Sequence, residues 1–400
     1  MDMSSAPVVT VSDSNVEIAL FGRITADNAP AIERQVADLR AKNPQGALTL
    51  DAGGLEYISS AGLRIVMRLL KKEGSLTVSE ASNEVYDVFE MTGLTELMNV
   101  RRRPREISVE GCEVIGQGGF GTVYRIDSET IVKVYRPGMP RSVLDDERAM
   151  AQRAFLLGVP TAISYDVVRV GDSFGLVFEL LDAKTLAAVI SREPERVTEY
   201  AVRCARLLKQ IHEIEPAQGE LPDTREKYLS WADDMVAYLD GEEVALIKDY
   251  IQNKVPDGSS FLHGDFHCKN IMEVSGELML LDIGDATSGH PAFDLAQILF
   301  SQTIMPRTTR TRERATELLG FEPEVAQRFW GVLASTYLGT TDPAEVGRVS
   351  GMLTPLALMN LAFYATRYTT GDVERTAGVV DKLIRGQLLG ALATAPAIEL

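Results

Sequence analysis

A chain of 400 residues with 45% hydrophobic content is long enough for two or three packed domains, which excludes disorder for most of its length. A formal net charge of −17 excludes partners held by a broad basic surface, namely nucleic acid and anionic membrane. Cys112, Cys204 and Cys268 are scattered without metal-ligand spacing and suit a reducing compartment.

In chain order, the opening MDMSSAPVV has no basic segment followed by an apolar one, so a secretory signal is not expected. Val8–Val11 and Val16–Phe21 read as strands, and Ala26–Lys42 places Ala29, Ile32, Val36 and Leu39 at helical spacing. A strand at Ala47–Leu50 leads into ISSAGLRIVMRLLKK, where Leu63, Val66, Met67 and Leu70 form one helical stripe. Either Ser59 or Ser60 can cap that helix, because a hydroxyl at the start accepts a hydrogen bond from an otherwise unpaired N–H. A strand at Ser75–Val78 and a helix at Asn83–Met91 complete a βαβαβα order, which predicts a small mixed sheet with helices packed on it.

Over about residues 6–100, in LTLDAGGLEYISSAGL and VFEMTGL, this pattern resembles the STAS domain of anti-sigma factor antagonists. The resemblance implies a domain that docks a protein partner or a second copy. It also implies a phosphorylated serine at the helix start, and the matching residue is Ser60, with Ser59 where the family usually has Asp. RRRPRE, residues 101–106, is polar and contains proline, so it reads as a linker.

Next, VIGQGGFGTVYRI carries Gly116, Gly118 and Gly121 within strand-like sequence, where missing side chains let the backbone approach phosphates. Thr122–Ile126 continues as a strand rather than a helix, which argues against a Rossmann turn. The loop and the following TIVKVY resemble the Gly-rich loop and phosphate-contacting lysine of protein kinases, making Lys133 the candidate. A helix at Leu144–Leu157 carries Glu147, which resembles the glutamate that holds this lysine, with Asp146 as its rival. Strands at Tyr165–Val170 and Phe174–Leu181 follow, and their end resembles the interlobe hinge, where backbone groups near Glu179 and Leu181 would hold adenine. Val197–Ile214 is an amphipathic helix in which His212 reads as packing or helix end. Arg225–Val255 is a helical insertion rich in carboxylates, among them Asp233, Asp234, Glu242 and Glu243.

The stretch FLHGDFHCKNIMEVSGELMLLDIGDATSGHPAFD then sets Asp265, Asn270 and Asp282 at or beside the ends of two short strands, Asn270–Val274 and Glu277–Ile283. Phosphoryl transfer needs such a set: a carboxylate facing the attacking hydroxyl, and oxygen ligands for magnesium. The spacing resembles protein kinases, and HGD in place of HRD resembles the aminoglycoside and choline phosphotransferases. That resemblance implies bracing of the loop by His263 and Asp294, with His290 where the family often has Asp. Lys269 reads as either a charge-stabilising group or loop surface, and Asp285 as either a metal assistant or a turn residue. Only 11 residues lie between Asp282 and Asp294, too few for the platform on which protein kinases hold a peptide. Beyond Thr308, Phe329–Tyr337 and Leu356–Tyr368 read as core helices. The apolar stretch 352–365 is broken by Pro355 and Asn360 and falls short of the roughly 20 residues of a membrane helix, so no membrane partner is expected.

The expected fold is therefore α/β and α+β: a STAS-type sheet with helices at 1–100, a linker at 101–106, a β-rich kinase-like lobe at 107–181, and a helical lobe at 182–400 with an insertion at about 217–258. The expected protein is a soluble, cytoplasmic, ATP- and Mg2+-dependent phosphotransferase acting on a hydroxylated small molecule. Asp265, Asn270 and Lys133 would be catalytic, with Asn270 and Asp282 holding metal; the carboxylate-rich insertion points to a hydroxylated or cationic acceptor. The alternative is a partner-switching signalling protein whose kinase-like domain phosphorylates protein Ser or Thr, or only senses nucleotide.

Overall fold

In a computed structural model, residues 7–11, 15–118, 121–309, 311–367, 369 and 372–400 are described. The segment MDMSSA and the expected helix end at Tyr368 lie outside them. The chain falls into two units, Met1–Ile107 and Ser108–Leu400.

The first unit runs β1 (Val8–Val11), β2 (Asn15–Ile24), α1 (Ala29–Lys42), β3 (Ala47–Ile58), α2 (Ser60–Glu73), β4 (Thr77–Ala81), α3 (Asn83–Met91) and β5 (Asn99–Arg102). Its sheet has the order β1-β2-β3-β4-β5, with β1 antiparallel and the other pairs parallel. Alternation on β2 and β3 puts Val16, Ile18, Leu20, Leu48, Leu50 and Ala52 into a core closed by Val36, Ile65, Val66 and Phe89. Arg40 is buried beneath α1, where its guanidinium meets Glu73 of α2 at 2.7 Å and the carbonyl of Gly46 at 2.9 Å. Arg101 and Arg102, expected in the linker, instead form the end of β5, since Val100 pairs with Val78 and carries the strand onward.

The second unit opens with an antiparallel sheet of β6 (Glu113–Gln117), β7 (Gly121–Arg125), β8 (Thr130–Tyr135), β9 (Ser164–Val170) and β10 (Ser173–Glu179), ordered β6-β7-β8-β10-β9. Helix α4 (Arg141–Leu156) packs against it through Leu144, which is fully buried with Val167 and Leu176. The helical lobe continues with α5 (Leu186–Arg192), α6 (Val197–His212), α7 (Thr224–Asp234) and α8 (Gly241–Asn253). Two short antiparallel ladders follow: β11 (Ser260–Leu262) pairs with β14 (Thr287–Gly289), and β12 (Ile271–Val274) pairs with β13 (Glu277–Leu280). Helix α9 (Ala292–Leu299) runs into a π-helical stretch, Phe300–Ile304. Then come α10 (Met305–Thr308), α11 (Arg312–Leu319), α12 (Pro323–Leu338), α13 (Pro343–Arg367), α14 (Val373–Val379), a second π-helical stretch at Val380–Leu388, and α15 (Leu389–Ala393).

The core of this lobe follows helical periodicity. On α6, Tyr200, Ala201, Cys204, Ala205, Leu208 and Ile211 share one buried face. Helix α13 runs 25 residues through Pro355 and Asn360, and by length and apolar composition it could cross a membrane, contrary to the shorter stretch expected. In the fold it is a core helix: Leu353, Leu356, Ala357, Met359 and Ala362 are fully buried, and Asn360 accepts the buried hydroxyl of Tyr228.

Candidate active site

Between the β-rich lobe and the helical lobe lies a cleft of about 410 Å3. Gly116, Gly118 and Gly121 line its roof, Ala162 and Phe178 its back, Glu179 and Leu181 the interlobe segment, and Asn270 and Asp282 its floor. The Gly118 amide donates to the Gly121 carbonyl at 2.9 Å. Any side chain at Gly121 would overlap the Val134 carbonyl, whereas one at Gly116 would make ordinary contact with Val123. Gly121 is thus required by the sheet itself; only an approaching ligand would demand bare backbone at Gly116 and Gly118. At the interlobe segment the Glu179 amide donates to the Ile163 carbonyl at 2.9 Å, so that N–H is already engaged, while Leu181 lines the cleft beside it.

Lys133, central on β8, reaches Glu147 Oε1 of α4 at 2.9 Å and Asp282 Oδ1 at 3.2 Å. Geometry selects Glu147 over Asp146 as the lysine's partner. Burial opposes the charge on Lys133, but Asp282 and Glu147 outweigh it and hold the ammonium above the ordinary lysine pKa. Tyr135, two residues along the strand, sits beneath with its ring centroid 5.2 Å from Lys133 Nζ. Burial and the Glu147 carboxylate push its phenol well above the usual range. Asp282, two residues beyond the end of β13, adopts a left-handed conformation, φ 56°, and aims a half-exposed carboxylate into the cleft.

Asp265 is held from several sides. Asn270 Nδ2 donates to Asp265 Oδ2 and to the Asp265 backbone carbonyl, both at 3.1 Å; Gln297 Nε2 of α9 donates to Asp265 Oδ1 at 3.2 Å; His267 Nε2 stands 3.4 Å from Asp265 Oδ2. Burial would raise its pKa, but the His267 hydrogen bond, the electrostatic influence of the His267 and His263 imidazoles, and the Gln297 hydrogen bond bring the carboxyl down to about 2. His263 braces the loop: its Nδ1 accepts the Asp265 amide at 3.2 Å, which leaves Nε2 as the protonated nitrogen donating to the Leu281 carbonyl at 3.1 Å.

Behind the loop, Asp294 is buried and accepts the amides of His263 and Gly264, both at 2.8 Å, and His212 Nε2 at 3.1 Å. Burial would lift this carboxyl too, but the His212 bond and neighbouring positive potential keep it below the ordinary aspartate value. His212 Nδ1 continues to Tyr337 at 2.8 Å. His290, in the place where the family often has Asp, accepts the Ala292 amide on Nδ1 at 3.2 Å and so serves the start of α9, with its pKa lowered by burial. Lys269 lines the cleft but donates to the Glu317 carbonyl at 2.9 Å, and burial lowers its pKa. Asp285 faces Lys227 at 3.5 Å and Arg367 at 3.4 Å. Residues 283–293 are consumed by a short 3-10 turn, β14 and the start of α9.

Sequence reasoning missed Gln297 and did not give His212 its place against Asp294. Gln297 was legible in part: it stands three residues after Asp294 on α9, hence on the same helical face toward the loop.

In the first unit, Ser59 rather than Ser60 caps α2, accepting the Gly62 amide at 3.4 Å. Ser60 is exposed at the first helical position. Gly62 lets α2 approach the sheet, because a Cβ there would lie 2.6 Å from Ile58 Cγ1 and 2.8 Å from Ile24 Cγ2.

A lysine–glutamate pair under a Gly-rich roof, facing Asn270 and Asp282 across an interlobe cleft with Asp265 hydrogen-bonded to Asn270, defines a kinase-like phosphotransferase fold. Residues 112–329 match the model of the phosphotransferase enzyme family, and residues 8–100 match that of the Mlab, STAS domain. The chain belongs to the phosphotransferase enzyme family and carries a STAS domain at its N-terminal end. Its first unit is similar to the putative anti-sigma factor antagonist BtrV of Bordetella bronchiseptica (strain ATCC BAA-588 / NCTC 13252 / RB50), with 33% identity over 92 residues, covering 22% of this chain and 78% of that protein. Among solved structures, ADP-bound aminoglycoside phosphotransferase APH(2'')-Ib aligns with TM-score 0.48 and 17% identity over 70% of this chain and 93% of that one. The gentamicin complex of APH(2'')-IIa aligns with TM-score 0.47 and 16% identity over 76% and 97%.

Proposed function

We propose that this protein transfers the γ-phosphoryl group of ATP to the hydroxyl of a small molecule, and that its STAS domain docks a protein partner or a second copy. The observation that carries the reading is the ionised Asp265, fixed between Asn270 and Gln297 beside a cleft that presents Lys133, Glu147 and Asp282. Among the described residues no group of three His, Cys, Asp or Glu side chains converges on a metal position. That suits magnesium, which takes one or two protein oxygens and completes its shell with phosphates and water. Asn270, whose amide nitrogen is committed to Asp265, has its oxygen left for such a role, and Asp282 supplies the carboxylate. When bound, Mg–ATP supplies the phosphoryl group with its charge partly neutralised. Lys133, held by Glu147, meets the phosphates; the backbone at Leu181 and the apolar walls at Ala162 and Phe178 receive the base. Asp265, with a pKa of about 2, is too weak a base to ionise an alcohol beforehand, so it orients the hydroxyl and accepts its proton as the new bond forms. The three cysteines are free thiols, in keeping with a cytoplasmic setting.

For the first unit, the exposed Ser60 hydroxyl favours a phospho-acceptor role, because the capping bond belongs to Ser59. A phosphate there would sit at the positive end of α2 and add about two negative charges to a docking surface.

Mg–ATP at 100 times its Kd should stabilise the second unit by about 2.7 kcal/mol. Asp282→Ala should lose most of that effect, whereas Asp265→Asn should keep it and lower turnover by orders of magnitude. Equal stabilisation of wild type and Asp282→Ala in a thermal-shift titration would sink the assignment. Labelled ATP with site mapping by mass spectrometry, alone and with cell extract as a kinase source, checks Ser60; label confined elsewhere argues against it.

A further inference from the structure

Two of the four carboxylates that suggested a cationic acceptor are spoken for within their own lobe. Asp233 pairs with Lys248, and Glu243 takes Arg385 at 2.7 Å and the Asp240 amide at 2.9 Å. What stands beside the loop of Asp265 is cationic instead. The Asp285 backbone packs so closely on Gly264 that a side chain at Gly264 would overlap the Asp285 carbonyl, and Tyr364 of α13 donates to the Gly264 carbonyl at 3.2 Å. On that same edge Lys227 of α7 and Arg367 of α13, one turn beyond Tyr364, converge on one oxygen, Asp285 Oδ1, at 3.5 and 3.4 Å. Both separations exceed the roughly 2.7–2.9 Å of a committed charged hydrogen bond. Two cations share one carboxylate oxygen loosely, and the Arg367 side chain is 49% exposed.

Lys227 and Arg367 together balance the two carboxylates of this edge, Asp285 and the ionised Asp265, in a chain whose formal charge is −17. A neutral polyol accepts hydrogen bonds from these donors but leaves their charge unused, and an ammonium is repelled by the pair. An anionic acceptor, by contrast, must approach both the nucleotide phosphates and the ionised Asp265, and needs cations to offset that repulsion.

We propose that the acceptor carries an anionic group, a carboxylate or a phosphate, which Arg367 and Lys227 bind while its hydroxyl is presented to Asp265. This rests on the phosphotransferase reading above. The hydroxyl oxygen forms the new bond to the γ-phosphorus, the bond from that phosphorus to the ADP oxygen breaks, and the hydroxyl proton passes to Asp265. Arg367 supplies a planar fork suited to carboxylate or phosphate, and Lys227 a point charge beside it.

The test uses the full chain saturated with Mg–ADP and measures binding by equilibrium dialysis for matched probes: glycerol against D-glycerate, and glucose against glucose 6-phosphate and glucosamine. At least one anionic probe should bind ten-fold or more tightly than its neutral parent, and the preference should shrink three- to ten-fold in Arg367→Gln and in Lys227→Gln, with partial recovery in Arg367→Lys. D-glycerate alone marks a carboxylate acceptor, glucose 6-phosphate alone a phosphorylated one. The inference is overturned if glucosamine or a neutral parent binds as tightly as its anionic counterpart, or if neither anion binds at 10 mM while Mg–ADP does. Failure of Mg–ADP itself to bind removes the phosphotransferase reading and this inference together.

Discussion

Replacing Asp294 with Ala probes how the loop bearing Asp265 is held. The buried carboxylate accepts two loop amides at 2.8 Å and His212 at 3.1 Å, so its loss strands three donors in a site closed to water. Each stranded donor costs about 1–3 kcal/mol, and the three costs do not add in full. We expect a loss of about 4 kcal/mol, or roughly 8–16 °C in the melting temperature of a unit this size. Asp294→Asn keeps the volume and one acceptor oxygen, and should cost about half as much. The pH dependence carries the sign. Because the folded pKa lies below the unfolded aspartate value, the carboxylate's contribution is fully present above about pH 4 and is lost as pH falls through the folded pKa. The mutant's deficit should therefore be flat from pH 8 to 5 and shrink in stronger acid. Thermal unfolding across that range, paired with turnover, checks it. A deficit under 1 kcal/mol at pH 7 for Asp294→Ala, with turnover intact, would refute the bracing assignment.

Further outcomes are expected from single substitutions. Ser59→Ala should cost about 1 kcal/mol in the first unit by removing the α2 cap, while Ser60→Ala stays within about 0.5 kcal/mol, as urea titration of the two variants will show; the reverse order would exchange their roles. Gly62→Ala should destabilise the same unit by about 1–3 kcal/mol, since Ile58 and Ile24 must shift, read from the same titration. Gln297→Ala should lower kcat more than it raises KM for Mg–ATP, because it frees one oxygen of Asp265 without touching the nucleotide cleft. With Asp265 at about 2, its protonation should not limit kcat/KM anywhere between pH 5 and 9; an acid limb above pH 5 that disappears in Asp265→Asn would contradict this.

The parts of the fold that sequence made legible are those with local cause. Helix α3 spans the expected Asn83–Met91, and the nearness of Asp265, Asn270 and Asp282 was visible because a hairpin brings both ends of a short segment together. What escaped depended on distant partners. Strand β5 looked like a linker because its charged ends hid the pairing of Val100 with Val78. Pro355 looked like an end to its helix, yet the burial of Leu353, Leu356 and Ala357 around it offsets the lost hydrogen bond. The site followed the same rule. Lys133 and Glu147 could be paired through their motifs, but nothing in the spacing of Lys227, Asp285 and Arg367 joins them, because they lie on α7, after β13 and at the end of α13. Electrostatics at that edge departs from what counting suggested: Asp240 caps α8, Asp233 and Glu243 meet cations, and Lys227 and Arg367 stand beside the loop of Asp265. Net charge constrained long-range partners, whereas acceptor chemistry depends on which charges remain unbalanced within a few ångströms of the reacting hydroxyl.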